Sequence, residues 1–304
     1  MEKTSSVAKE NLSPGKAVPS RGQGWAFAAL VAGNIALAVA ALFVRYADTG
    51  PVATGFWRMA LAAPLLWLLA RYFGQSVRGL PPKTLWLVAL GGLFFAADIA
   101  AWHMGILLTK LGNATLFGNS ASLLLVAYGL ILTRRWPKGQ TLAAIMLATL
   151  GALLLMGKSY QASRDYLIVD LLSLLAGVLY TGYVIALQRA RGEMGSWAVL
   201  ALATTACALP LLLFAAAFGE QIMPTNWTPL ILLAVTAQLI GQGFLIYALP
   251  HFSALIIGLA LLIQPAIAAL AGWLKFGEQM GPVEIIGAVM VSLALALVRT
   301  PEKT

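Results

Sequence analysis

Ten apolar stretches, each about twenty residues long, fill nearly all of the chain between residues 25 and 299. Few architectures accept that pattern. A backbone crossing hydrocarbon must bond all of its own N–H and C=O groups, which leaves helices or a closed barrel. Runs of this length match a helix spanning the roughly 30 Å core, whereas barrel strands are half as long and alternate in polarity. The stretches fall at 25–44, 52–70, 84–107, 112–132, 140–157, 166–188, 196–218, 229–249, 253–274 and 282–299. The linkers are short and carry turn formers: Thr49-Gly50-Pro51, Gly79-Leu80-Pro81-Pro82, Trp136-Pro137-Lys138-Gly139, Pro224 and Pro229. The expected class is an all-α polytopic membrane protein with ten transmembrane helices. With 60% hydrophobic and 10% charged residues, the chain lies far from the quarter-charged balance of soluble domains.

The stretches also read twice. Gly33 and Arg45 are spaced like Gly177 and Arg189, Pro64 finds Pro210 further on, and Ser122 with Arg135 finds Pro265 with Glu278. The domain organisation predicted is a mobile cytoplasmic tail over 1–24, one five-helix unit over 25–157 and a second over 166–299. Five crossings are odd, so the second unit enters from the opposite face. Inverted pairs of repeats are how many secondary transporters build alternating access.

Orientation follows from Lys and Arg, which concentrate on the cytoplasmic side. With both termini inside, that side receives fourteen and the other five, Arg58 lying within a span. The net charge of +9 is thus a topology signal, and nucleic acid is not an expected partner. Residues 1–24 lack a signal-peptide pattern, so the first span is the targeting element. The single cysteine, Cys207, rules out an internal disulfide.

At 1.5 Å rise per residue, Asn34, Gln238 and Gln264 lie about 13–16 Å from the ends of their spans. Asn119, Tyr180 and Gln242 fall near the same level. Polar side chains there face protein or water. They either glue helices together or line a central cavity, and agreement among five spans favours the cavity. Arg58 and Asp98 reach nearly equal depth in spans 2 and 3, which suits an intramembrane ion pair; direct capture of a substrate carboxylate by Arg58 is the alternative. His103, one turn past Asp98, is a candidate for proton relay or for stacking. Trp102, Tyr180 and Tyr183 could wall a flat ligand. Pro64 and Pro210, inside spans 2 and 7, are candidate hinges.

A phosphate-binding GxxxxGK[ST] loop is missing from the sequence, as are HExxH and GxSxG. The expectation is no enzyme activity, no cofactor and no metal. An intramembrane lipid-modifying enzyme is the reading from another class, and a proton-coupled multidrug or cation exporter using Asp98 or His103 is the rival within transport.

The segments Tyr247-Ala-Leu-Pro-His-Phe-Ser-Ala-Leu and Leu262-Ile-Gln-Pro-Ala-Ile-Ala-Ala-Leu-Ala-Gly-Trp-Leu-Lys-Phe-Gly-Glu-Gln, followed by Ile286-Gly-Ala, resemble the second EamA-type repeat of the drug/metabolite transporter superfamily. The first half is similar at Phe56-Trp57-Arg58 and Asn113-Ala114-Thr115-Leu116-Phe117, though Ser122 replaces a proline and Arg135 a glutamate. The chain looks most like the YddG-type aromatic amino-acid exporters. The resemblance implies a carrier in the bacterial inner membrane, as monomer or weak homodimer, exporting amino acids and related small metabolites. It also implies a cavity lined by spans 1, 3, 4, 6, 8 and 9, with spans 5 and 10 peripheral. Asn34, Asn119, Gln238, Gln242 and Gln264 would hold the polar head, with Trp102, His103, Tyr180 and Tyr183 around it.

Overall fold

The computed structural model describes residues 20–108, 120–133, 137, 139–156, 164–277 and 281–299. Within them the chain is a bundle of helical rods and no strand. These are α1 (Ser20–Tyr46), α2 (Pro51–Tyr72), α3 (Pro82–Leu108), α4 (Ser120–Thr133), α5 (Gly139–Met156), α6 (Arg164–Ala190), α7 (Ser196–Ala217), α8 (Thr228–His251), α9 (Ala254–Phe276) and α10 (Pro282–Arg299). Six of the rods are long and apolar enough to cross a membrane. The molecule is a multi-pass membrane protein, as its apolar stretches require. Of the expected tail over 1–24, residues 1–19 lie outside the described residues, as does the first part of the fourth span, and residues 20–24 are not tail but the opening of α1, which starts at Ser20.

Two rods depart from plain α-helix. In α8 the backbone is α-helical over Thr228–Leu233, becomes a π-helix over Ala234–Gln242, and returns to α over Gly243–Ala248. Thr236 Oγ1 donates to the Leu232 carbonyl at 2.7 Å. The same bond from Thr205 to the Ala201 carbonyl, at 2.8 Å, leaves α7 an ordinary α-helix, so it does not by itself account for the i→i+5 ladder. In α9 the helix stops at Leu261 and restarts at Ile263. Pro265 has no N–H for the Leu261 carbonyl, and its ring crowds that oxygen. Pro64 and Pro210 interrupt neither α2 nor α7.

Alanine is the commonest residue of the main core, which draws on α1, α2, α3, α4, α6, α7, α8 and α9. Without a hydrophobic driving force between helices in lipid, close approach of backbones supplies the attraction. At the α4–α9 crossing a Cβ on Gly258 would stand 2.5 Å from the Ser122 carbonyl, and one on Gly129 2.8 Å from Leu255 N. Only glycine permits that contact. A separate apolar cluster joins α5 and α10 to the outer faces of α4 and α9.

Neighbour relations have a regular form. α2 lies on α7, α4 on α9 and α5 on α10; α3 packs on α6 and α7, α1 on α8 and α9, and α4 on α6. Advancing each rod by five places returns the same pairings: α3–α6 becomes α8–α1, and α4–α6 becomes α9–α1.

The α2–α7 pair shows this in atomic detail. Each rod ends in Phe-Gly followed by a side chain that folds back onto its partner. After α2, Gly74 takes φ 66 and Gln75 Oε1 accepts from the backbone N–H of Trp197 and Ala198 at 2.8 and 3.1 Å. After α7, Gly219 takes φ 65, and the Glu220 carboxylate accepts from Val52 N and Ala53 N at 3.2 and 2.8 Å. Positive φ suits glycine, and both turns are closed by backbone bonds to the preceding helix. Each rod thereby caps the orphan N–H groups opening the other. Gly50 and Gly195 precede these N-termini, where a Cβ would strike Glu220 and Gln75 respectively. The matching residues (50 and 195, 74 and 219, 75 and 220) are 145 positions apart. In that register Pro64 aligns with Leu209, so the two prolines are one residue out of step.

Candidate functional site

Where α1, α2, α3, α6, α8 and α9 meet, a cavity of about 50 Å³ is lined by Leu37, Arg58, Phe95, Asp98, Ile99, Trp102, Tyr180, Gln242 and Gln264. That is room for a few waters. α5 and α10 supply none of the lining. Arg58, absent from the expected set of lining spans, brings α2 into it.

The π-segment of α8 contributes two of the polar groups. Gln238 and Gln242, four apart, share the inward face of that segment, at 0% and 1% exposure. Gln242 is held between two phenols: Tyr183 OH donates to its Oε1 at 3.2 Å, and its Nε2 donates to Tyr180 OH at 3.4 Å. Gln238 is held between α2 and α7. Arg58 Nε donates to its Oε1 at 3.2 Å, and its Nε2 donates to Thr204 Oγ1 at 2.8 Å. Across the cavity Gln264 Nε2 donates to Asn34 Oδ1 at 2.6 Å, while Asn34 Nδ2 donates to the Leu30 carbonyl at 2.7 Å. Buried amides in a low-dielectric setting need such partners.

The aromatic side is stacked. Phe95 lies on Tyr183 with centroids 4.2 Å apart and planes at 9°, and Tyr180 leans on both. The Arg58 guanidinium carbon sits 5.5 Å from the Phe95 centroid, a cation–π placement.

The structure thus sorts the expected residues into shells. Trp102, Tyr180, Gln242 and Gln264 line the cavity; Asn34, Tyr183 and Gln238 stand one hydrogen bond behind it. His103 is fully buried and outside the lining, its Nδ1 3.0 Å from the Pro51 carbonyl and its Nε2 without a partner. Asn119 lies outside the described residues. Arg58 and Asp98 both line the cavity, but no ion pair within 4.0 Å joins them among the described residues; the guanidinium bonds Gln238 instead. Pro64 is exposed on the outer face of α2 and Pro210 is half-buried in α7, both away from the lining.

Thr204 and Phe95 escaped sequence reading. A threonine in an apolar span carries no depth signal of its own, because it bonds its own helix as readily as a neighbour. Phe95 had a usable one: it precedes Asp98 by three residues and so shares its helical face.

Over this frame the likenesses to known proteins are consistent. A solved crystal structure superposes with a TM-score of 0.72 over 92% of this chain and 96% of that chain; at 16% identity it speaks for the fold. The pseudopaline exporters CntI of two Pseudomonas aeruginosa strains, UCBPP-PA14 and PAO1, are each 26% identical over 257 residues, which is 81% of this chain and 85% of theirs. Residues 167–300, the span of the expected second unit, match the model of the EamA-like transporter family.

Proposed function

We propose that the chain is an EamA-type exporter of small metabolites, amino acids above all and aromatic ones by preference. Its site is the cavity described above, opened to either face in turn as rods of units 25–157 and 166–299 move around the fastened α2–α7 pair. The observation carrying this reading is the cavity itself: polar and charged groups from five rods, α2, α3, α6, α8 and α9, converge on one small space beside the rings of Phe95, Trp102 and Tyr180. A pocket of that kind with a few convergent polar groups suits a small ligand. The regular exchange of neighbours supports two related halves. At about 50 Å³ the cavity is too small for a phenylalanine, so passage requires its walls to part. The match of residues 167–300 to the EamA-like family and the likeness to exporters of pseudopaline support export; the Lys and Arg bias supports cytoplasmic termini, in what we take to be a bacterial inner membrane.

The deciding experiment is counterflow in proteoliposomes across the twenty amino acids, purines and quaternary amines. Flux of at least one amino acid, lowered by Gln242→Ala, is the expected result. A protein that moves only purines or quaternary amines refutes the amino-acid reading. The proton-coupled multidrug alternative draws on Asp98 in the cavity and on the partnerless Nε2 of His103. Drug flux driven by a pH gradient and abolished by Asp98→Asn would establish it; pH-indifferent flux rejects it.

A further inference from the structure

We infer that Arg58 and Asp98 are the two poles of a zwitterion site, Arg58 receiving a ligand carboxylate and Asp98 the adjacent ammonium. This rests on the reading of the cavity as the transport site, and it names what that site recognises.

Both side chains are buried, at 2% and 7% exposure, and both line the same small space. No ion pair within 4.0 Å joins them. Opposite charges taken out of water and held apart are costly, because each loses its hydration without closing on the other. The structure holds Arg58 open by other means. Its Nε is bonded to Gln238 Oε1 at 3.2 Å, Gln238 is tied to Thr204 at 2.8 Å, and the Phe95 ring lies 5.5 Å from the guanidinium carbon. One edge of the planar fork is thereby spent on protein, and the terminal amino edge remains for an acceptor. Carboxylates fit that edge in bidentate geometry.

A ligand with both charges neutralises both poles at once. One with a carboxylate alone leaves Asp98 uncompensated; one with an amine alone leaves Arg58 so. Selectivity therefore comes as much from the stranded charge as from the satisfied one. The cavity holds little beyond a charged head group, so the ring or chain of an amino acid would lie where Tyr180 and Trp102 now close the space.

The test uses three probes sharing one ring: phenylalanine, 3-phenylpropionate and phenethylamine, as competitors and as substrates in counterflow by the purified full-length protein. Wild type should prefer phenylalanine to either singly charged probe by about tenfold or more, the scale of a charge-assisted contact. Asp98→Asn should bring 3-phenylpropionate level with phenylalanine, and Arg58→Gln should do the same for phenethylamine. Should Arg58→Gln not give monodisperse protein, Arg58→Lys is read instead, with weakened binding of the two carboxylates and unaltered phenethylamine. Variants that lose all three probes in proportion mark Arg58 and Asp98 as structural and overturn this assignment alone. Wild-type protein that moves other solutes but no amino acid overturns the exporter reading as well.

Discussion

Thr204 is fully buried and accepts from the Gln238 amide at 2.8 Å, so it supports the group that supports Arg58. Thr204→Val keeps the shape and removes the acceptor, stranding a buried N–H. The expected cost is about 1–3 kcal/mol of stability. It should appear as a lower melting temperature in detergent, while Thr204→Ser stays near wild type. At this scale the sequence was informative wherever depth alone betrayed a polar side chain. Asn34, Tyr180, Gln242 and Gln264 were found because amides and phenols are rare in hydrocarbon. The bonds of Arg58 were not foreseen. Two charges at one depth suggest a pair, but whether they close depends on the azimuth of each helix and on a third residue, Gln238, from a distant span.

Among elements, the mutual caps of α2 and α7 are the most direct object for mutation. Gln75→Ala and Glu220→Ala each remove the acceptor for two backbone N–H groups at the start of the partner helix. Each should cost about 1 kcal/mol, with the pair additive because the sites lie at opposite ends. Chemical unfolding monitored by circular dichroism would check this; a strongly non-additive double variant would show the two ends to be coupled. Helix number and rough bounds were readable from hydropathy, since hydrocarbon thickness sets both. The π-segment of α8 was not, because hydropathy carries no mark of which carbonyl a backbone N–H will choose. The break at Leu262 has a visible cause in Pro265, yet Pro64 and Pro210 show that a mid-span proline need not interrupt a rod. Equivalence between halves was legible only to within a residue: the caps run at 145 where the prolines suggested 146.

For the whole molecule, an introduced thiol is a clean topology reporter because Cys207 is fully buried. Gln23→Cys and Ser76→Cys should take an impermeant maleimide from one side of the membrane and Met223→Cys from the other; labelling of all three from one side would contradict ten crossings. Between the rods, Asp48 Oδ2 accepts from the Thr225 hydroxyl, from Thr225 N at 2.8 Å and from Asn226 N at 2.9 Å. These bonds, the hydroxyl's first, hold its carboxyl below the ordinary value of 3.8. A depressed folded value means that this support is present above the unfolded value and is lost as the medium is acidified through the folded one. Melting temperature should thus fall below about pH 4 more steeply in wild type than in Asp48→Asn. The fastened α2–α7 couple has a last consequence. Two rods tied at top and bottom cannot swing as separate doors; they can only travel or flex together, as one beam. Cysteines at 73 and 197, where the Phe73 and Trp197 rings now stack 6.0 Å apart, could be bridged by a short bis-thiosulfonate. Counterflow should continue undiminished through that staple, leaving the moving leaves to be sought among the rods around it.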